Sequence, residues 1–553
     1  MADDKRSHHS VAIIGAGFGG LGMAMAMKRS WNYDDFIIFE RGCEVGGTWR
    51  ANTYPGAASD INIHVYTFST DPRYDWPKTH GYQPEILDYL KDLADKYKLD
   101  PRIEFKTTVE KAEWDVVAQN WCIVTTHLES GKTTTHTATV LISATGILEQ
   151  PHFAGIAGRD SFKGPLFHSA RYRHDVSLRG KRVAVVGNGC SATQIVPVIS
   201  EDPSTDVTSF CRTPMWYIDG SFKSYPASWK WVFRHVPMAY FLFRCALHIH
   251  YDSRFIVFRG SGRSWLHRLA QRYFASYIKA HAPREYHEKL IPDYAVGCTR
   301  IIRDPEYLSS LHRPNNRQNW DGIERITEDG IVTQKGGDHL PFDVIIFATG
   351  FVTDKFPIEI RGKSGLSISE YYDANGGPQG YYGATIPGFP NFMTIQGTCP
   401  NTTTGHESVI FTEECQFNYA LQLFKPVIDK ELETIEVTEE ATVRFNNWIQ
   451  QRMDTSIFVN CSSWYRVGQQ GKVAAIWPST IFQFWWNLLR VNWSDYETAG
   501  KYRSRWVFRR RLAVVARLLV TLVLVGVAGA EERDHRHPWG ISGKNQPYGK
   551  YLS

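Results

Sequence analysis

The chain has 553 residues, of which 43% are hydrophobic and 22% charged. This composition is typical of a globular protein with a large buried core, and the length corresponds to roughly three or four domains. The formal net charge of +5 is small for such a length, which argues against a nucleic-acid partner. The nine cysteines include no Cys-x-x-Cys pair. A zinc ribbon or a thioredoxin-type site is therefore not expected, and a reducing, cytoplasmic location is favoured.

The first predicted element is a short apolar strand at residues 11–14 that ends in a glycine-rich turn. Gly15, Gly17 and Gly20 have the Gly-x-Gly-x-x-Gly spacing of a dinucleotide-binding turn. The first glycine allows the tight turn, the second lets the backbone approach a pyrophosphate, and the third allows close helix–strand packing. Glu40 follows the apolar run at residues 36–39, where a carboxylate can accept hydrogen bonds from ribose hydroxyls. This unit predicts an FAD or NAD site.

A second glycine-rich turn follows the apolar residues 183–186. It contains Gly187, Gly189 and Ser191, and Arg212 stands 25 residues after its first glycine, as Glu40 does in the first turn. A cation at this position suits the 2′-phosphate of NADPH. The two turns are followed by ribose-binding candidates of opposite charge, Glu40 and Arg212. Together they predict electron transfer from NADPH to a flavin.

The alternation of apolar runs and helical patterns predicts a doubly wound α/β fold with two dinucleotide-binding, Rossmann-like domains. We expect residues 8–148 to form the first part of an FAD domain. Residues 151–350 are expected to form an NADPH domain with an aromatic-rich helical insertion at about 216–296. Residues 351–500 are expected to return to the FAD domain.

Residues 501–553 form a basic and apolar C-terminal tail. Three arginines at 509–511 precede an apolar run at 512–530 that Arg517 and Thr521 interrupt. The part after Arg517 is shorter than the roughly 20 apolar residues of a membrane-spanning helix. Two interpretations stay open: the segment anchors in or lies on a membrane with its arginines at the interface, or it packs on the body of the protein.

Three motifs resemble those of a known family in their order and spacing. They are Phe162-x-Gly164-x-x-x-His168, the segment from Gly47-Thr48-Trp49 through Tyr54-Pro55-Gly56 to Asp60, and the segment from Pro292 to Arg300. They resemble the signatures of type I Baeyer–Villiger monooxygenases, which are class B flavin-dependent monooxygenases, over about residues 8–497. The overall sequence most resembles natural-product enzymes of filamentous fungi.

The resemblance implies a monooxygenase that uses FAD, NADPH and O2 to convert a ketone into an ester or a lactone. Arg300 matches the catalytic arginine of the family, and Asp60 is the carboxylate expected to orient and partly neutralise it. Gly47, Thr48 and Trp49 match residues that contact the cofactor. Arg212 and Thr213 match the family's readers of the 2′-phosphate.

Two positions depart from the family pattern. Tyr172 stands where the first signature has tryptophan, a feature of the N- and S-oxygenating branch. Thr299 stands where the family usually has a lysine that helps to bind the 2′-phosphate. Arg303 is a candidate substitute for that lysine on its position alone.

Three other functions compete with this interpretation. An N- or S-oxygenating flavin monooxygenase is favoured by Tyr172 but would not need Arg300. A flavin disulfide reductase needs a redox cysteine pair, against which the single Cys43 and Cys190 argue. A membrane-associated NADPH-binding module without activity would need neither Asp60 nor Arg300. The sequence does not name the ketone, and the aromatic insertion favours a bulky polycyclic or terpenoid one.

Overall fold

The structure is a computed structural model that describes residues 7–258, 260, 262–396, 408–513 and 515. The strands are β1 Ser7–Ile14, β2 Phe36–Phe39, β3 Ile103–Glu104, β4 Thr107–Asp115, β5 Asn120–His127, β6 Thr133–Ser143, β7 Leu166–His168, β8 Arg182–Val186, β9 Asp206–Phe210, β10 Tyr217–Asp219, β11 Ile302–Asp304, β12 Asn316–Asn319, β13 Ile323–Ile326, β14 Gly330–Thr333, β15 His339–Pro341, β16 Val344–Phe347, β17 Glu359–Arg361, β18 Phe392–Thr394, β19 Thr434–Val437 and β20 Tyr496–Ala499.

The helices follow in the same order. They are α1 Phe18–Trp31, α2 Thr48–Ala51, α3 Gln83–Lys96, α4 Cys190–Ile199, α5 Ala227–His235, α6 Ala239–Ser253, α7 Phe255–Phe258, α8 Trp265–His281, α9 His287–Leu290, α10 Tyr307–Ser310, α11 Ile368–Ala374, α12 Val409–Ile428, α13 Glu439–Asp454, α14 Ile481–Leu488, and α15, which is helical over residues 503–513.

The first sheet has the strand order β17-β4-β5-β6-β1-β2-β3, and β18 pairs with β6. Strand β1 is parallel to both β2 and β6, while β4, β5 and β6 form an antiparallel meander. All four residues of β2 are buried because helices and strands cover both faces, which explains its continuous apolar run. Strands β17 and β18 come from the chain after residue 351 and join this sheet.

The second sheet has the order β12-β9-β8-β16-β7, and all of its pairs are parallel. Its strands lie between residues 166 and 347. The two sheets, each with a glycine-rich turn after an interior parallel strand, confirm the predicted α/β fold with two dinucleotide-binding units. The exact domain bounds stay a prediction.

The predicted helical insertion starts with a short strand. Residues 217–219 form β10, which pairs in parallel with β11, and the helices α5 to α9 lie between these two strands. The apolar pattern here reflects a buried strand, since Tyr217 is completely buried and Trp216 nearly so. Strand pairing with a segment more than 80 residues away is not visible in local periodicity.

The largest core joins the first sheet to α1 and α12. Helix α1 is buried over its first ten residues, and a Cβ on Gly22 would lie 2.4 Å from the ring of Phe417 on α12. Small residues in α1 therefore allow α12 to pack closely against it. Among the described residues, no helix is long and apolar enough to cross a membrane. Of the predicted apolar run at 512–530, only residues 512, 513 and 515 belong to the described part of the chain.

Candidate active site

The first glycine-rich turn has the shape that a pyrophosphate needs. Gly15 has φ +100°, and a Cβ there would lie 2.7 Å from the carbonyl oxygen of Ala144. A Cβ on Gly20 would lie only 1.8 Å from the carbonyl oxygen of Gly15, so the third position tolerates no side chain. Gly17 caps α1 without a side-chain hydrogen bond. The first amide groups of α1 therefore keep their capacity to bind an anion.

The family motif that begins at Gly47 contacts the first glycine-rich turn. A Cβ on Gly47 would lie 2.8 Å from Cα of Gly17, so the two backbone segments are in contact. Gly47 caps the short helix α2, which carries Thr48 and Trp49. Trp49 is buried, and its indole nitrogen donates to the hydroxyl of Tyr66 at 3.3 Å.

Glu40 is bound to the turn itself. Its carboxylate accepts hydrogen bonds from the amide of Ala16 at 2.7 Å and from the amide of Gly42 at 2.6 Å. These contacts hold the carboxylate beside the glycine turn, at the position from which a ribose can be bound. The structure thus brings Glu40, Gly15 and Gly17 together.

The second turn repeats this arrangement in the other sheet. Gly187 has φ +114°, and a Cβ there would lie 2.5 Å from the carbonyl oxygen of Ala348. A Cβ on Gly189 would meet no described atom within 4 Å, so space remains in front of α4. Gly189 caps α4 without a side-chain hydrogen bond, and Ser191 lies in the first turn of that helix.

Arg212 and Thr213 lie beside the second turn. The side-chain amide of Asn188 donates to the carbonyl oxygen of Thr213 at 2.8 Å, which ties the two loops together. Arg212 is exposed and donates to the side-chain oxygen of Gln469 at 3.2 Å. A guanidinium in this position can bind a phosphate group.

Asp60 and Arg300 are 240 residues apart in sequence and form an ion pair. Nε and Nη2 of Arg300 donate to Oδ2 of Asp60 at 3.0 and 2.6 Å. The side chains are 26% and 19% exposed, so the pair is partly shielded from solvent. Burial by itself would raise the pKa of Asp60, but the charge and hydrogen bonds of Arg300 hold it below its ordinary value. Both groups therefore stay charged at neutral pH.

The departure at Thr299 has a structural counterpart. Thr299 is buried, and its hydroxyl lies 3.3 Å from the hydroxyl of Tyr294, which donates to the carbonyl oxygen of Pro214. This contact joins the segment before Arg300 to the loop after Thr213. The chain thus has a neutral hydrogen bond where the family usually has a lysine.

Two features of the site are not apparent from the sequence pattern. The buried phenol of Tyr465 lies against Arg300, and burial raises its pKa. A disulfide joins Cys298 to Cys461, although the sequence leaves both as single cysteines. Their separation of 163 residues carries no local signal. The disulfide holds the segment of Tyr465 beside the segment of Arg300.

A cavity of about 220 Å³ lies against the ion pair. Its wall is mostly apolar and comes largely from the helical insertion and from the segment around Arg300. The lining residues are Asp60, Ile61, Ile218, Tyr251, Arg254, Val257, Ala270, Tyr273, Phe274, Val296, Arg300, Ile301 and Arg303. Arg303 therefore lies in the same wall as the ion pair, where it faces the cavity and donates to the carbonyl oxygen of Asp219.

The comparisons with known proteins identify the family. Residues 8–244 match the family model described as flavin-binding monooxygenase-like. A Baeyer–Villiger monooxygenase of Pseudomonas aeruginosa is 35% identical over 484 residues, which cover 86% of this chain and 89% of the relative. An FAD-binding monooxygenase of Aspergillus niger is 32% identical over 536 residues, or 92% and 84% of the two chains. The chain belongs to the Baeyer–Villiger monooxygenases of the flavin-binding monooxygenase-like family.

The fold agrees with this assignment. The closed crystal structure of cyclohexanone monooxygenase superposes with a TM-score of 0.79 at 23% identity, covering 90% of this chain and 100% of that one. The relatives favour Baeyer–Villiger oxidation over the N- or S-oxygenating alternative. In the structure, the ring of Tyr172 packs against Phe167 and His174.

Proposed function

We propose that Arg300 and Asp60 are the catalytic pair of this NADPH- and O2-dependent flavoprotein, which inserts one oxygen atom beside a ketone carbonyl. The product is an ester or a lactone. The observation that carries the proposal is the ion pair of Arg300 and Asp60 in the wall of a cavity. The two segments come from different parts of the chain and meet only in the folded protein.

The first glycine turn fits FAD. The cradle leaves no room for a side chain at Gly15 or Gly20, and the uncapped start of α1 at Gly17 is a favourable site for a pyrophosphate. Glu40 would bind the ribose. Gly47 touches the cradle, and Thr48 and Trp49 follow it on α2, so these residues would contact the bound FAD.

The second turn fits NADPH. The uncapped start of α4 at Gly189 and the neighbouring Ser191 would hold the pyrophosphate, and Arg212 with Thr213 would bind the 2′-phosphate. Arg303 is not placed for that role. It shares a wall with the ion pair, whereas the 2′-phosphate belongs to the opposite end of the dinucleotide from the reacting nicotinamide.

The chemistry that FAD supplies when bound is the transfer of electrons from NADPH to dioxygen, one atom of which enters the product. Arg300 supplies a fixed positive charge where negative charge develops on oxygen at the ketone carbonyl. A guanidinium suits this task because it stays protonated and offers several donors. Asp60 orients the guanidinium through two hydrogen bonds and balances its charge when no anion is present.

The cavity limits how a substrate can bind. Its 220 Å³ is below the roughly 300–1,000 Å³ of typical drug-sized ligand sites. It therefore suits the reacting end of a bulky, apolar ketone, with the remainder of the molecule directed toward the insertion helices. A polycyclic or terpenoid substrate stays a prediction.

The decisive experiment is a single turnover. The enzyme is reduced anaerobically with NADPH, mixed with isotopically labelled dioxygen and a panel of ketones, and analysed by mass spectrometry. A product heavier by one labelled oxygen atom, with ester or lactone fragmentation, is expected. Oxygenation of amines or sulfides without any ketone product would instead support the N- or S-oxygenating function.

A further inference from the structure

Three neighbouring helices expose large apolar side chains. Helices α6, α14 and α15 each carry at least two that have more than half of their surface in solvent. These are Leu242 and Ile249 on α6, Phe482 and Trp486 on α14, and Phe508 and Leu512 on α15. Groups of exposed large apolar side chains are typical of interaction sites. We call it the three-helix surface.

The first two helices of this surface are in direct contact. The carboxylate of Asp252 on α6 accepts hydrogen bonds from the amides of Ile481 and Phe482 at 2.8 and 3.4 Å. Ile249 lies three residues before Asp252, on the same face of α6. Ile249 and Phe482 therefore lie close together, although both side chains are more than 60% exposed.

Helix α15 contacts the segment that follows α14 through two tryptophans. The ring of Trp506 meets the ring of Trp493 edge to face, with centroids 4.8 Å apart, and the guanidinium of Arg510 lies over Trp493. Trp493 follows α14 by five residues. On the face of α15 opposite Trp506 lie Phe508, Leu512 and Val515, whose spacing forms one exposed apolar stripe along the helix.

The charged residues of α15 and of the turn before it are all basic, and one of them, Arg509, pairs with Glu431 of a neighbouring segment. Residues 501–515 contain one lysine and five arginines and no acidic residue, and all six cations are exposed. Arg490, just after α14, is exposed as well. An apolar stripe flanked by arginines is the pattern of a helix that lies in the interface of an anionic membrane. In sequence, the chain continues beyond it with the mainly apolar residues 516–530.

We propose that the three-helix surface docks on the surface of an anionic lipid bilayer, with the apolar side chains in the interfacial layer and the arginines on the lipid phosphates. Tryptophan and arginine are both favoured at that depth. A second copy of the chain fits less well. A two-fold interface places the same patch on both partners, so the arginines of α15 would face each other.

The inference connects to the site through α6. Ile249 of this helix points to the three-helix surface, while Tyr251 and Arg254 near its end line the cavity beside the ion pair. A membrane at this surface would lie next to the helices that wall the cavity. The docking itself does not depend on the reaction, and it can fail while the proposed function holds.

The test is flotation of the full-length, flavin-loaded protein with vesicles. We expect it to float with vesicles of equal parts phosphatidylcholine and phosphatidylserine and to bind phosphatidylcholine alone at least tenfold more weakly. A triple variant I249S/F482S/W486S should lose flotation. A second variant, R490Q/R505Q/R511Q, should bind about 100-fold more weakly, since each cation near an anionic surface contributes about fivefold.

Matched controls separate docking from folding. V117S and V443S remove exposed valines elsewhere on the protein and should float like the wild type. All variants should keep their flavin content and NADPH oxidation. The proposal is overturned if the triple variant floats normally, or if gel filtration with light scattering finds a dimer that only the triple variant lacks. It is also overturned if deletion of residues 516–553 creates binding that the full chain lacks, because that segment would then cover the surface.

Discussion

Replacing Arg300 by alanine is expected to separate oxygenation from reduction. The guanidinium lies in the cavity wall and is held by Asp60 through two hydrogen bonds. Transfer of a hydride between two stacked rings requires only their alignment. Attack on a ketone requires in addition a fixed cation near the developing negative charge. The R300A enzyme should therefore still oxidise NADPH but release hydrogen peroxide instead of an ester.

The magnitude follows from two contributions. Loss of one preorganised group that stabilises a developing anion costs about 3–4 kcal/mol, which corresponds to a rate factor of about 10² to 10³. The same substitution leaves the carboxylate of Asp60, which is only 26% exposed, without its guanidinium. An unsatisfied group of this kind costs about 1–3 kcal/mol of folding stability.

The double variant D60A/R300A distinguishes the two effects. Removing both charges should recover most of the lost thermal stability, because no carboxylate is left without its partner. It should not recover ester formation, because the cation is still missing. R300K should recover only part of the activity, since an ammonium cannot reproduce the two-donor contact with one carboxylate. D60A alone should be milder than R300A.

The assay measures NADPH consumption, hydrogen peroxide and ester in the same reaction. R317A is the matched control, because Arg317 also pairs with an aspartate but lies at the exposed edge of the second sheet. It should behave like the wild type. Undiminished ester formation by R300A would refute the assignment of the catalytic pair.

Three further predictions concern the cofactors and the disulfide. G20A should abolish flavin binding, since a Cβ there would lie 1.8 Å from a carbonyl oxygen of the turn; G131A, in open space, should stay yellow, and a yellow G20A protein would contradict the assigned cradle. R212A should reduce the preference for NADPH over NADH by about 10- to 150-fold, or about 1.5–3 kcal/mol, mainly through KM in steady-state kinetics. Equal use of both cofactors by the wild type would disprove this role. C461S removes the disulfide that closes a loop of 163 residues. In thermal melts it should lower the free energy of unfolding by up to about 5 kcal/mol, whereas C43S should leave it unchanged. Equal melting temperatures of the two variants would argue against the disulfide.

The glycine-rich turns could be predicted because their physical cause is local. Gly15 and Gly187 adopt positive φ angles and lie against a neighbouring strand, where a side chain would collide. A strand, a turn without side chains and a helix start occur within about ten residues, so the sequence carries the whole requirement. The same holds for Glu40 and Arg212, whose positions are set by a short strand that pairs beside the turn.

The proposed catalytic pair could be suggested only through a family resemblance. Nothing in the spacing of Asp60 and Arg300 shows that their side chains meet. Strand β10 could not be predicted for a related reason, because it exists only through its pairing with β11. A periodic pattern reports which face is buried and not the partner that buries it.

The amino-acid sequence by itself determined the two cofactor cradles and their charge preferences, because short-range sterics and backbone geometry decide them. The tertiary structure decided which distant groups share the site: Asp60 with Arg300, Tyr465 beside them, and Cys298 joined to Cys461. It also decided that the apolar faces of α6, α14 and α15 stay exposed. Such contacts depend on how whole sheets and helices pack, and the packing energy is shared among many residues rather than carried by a local motif.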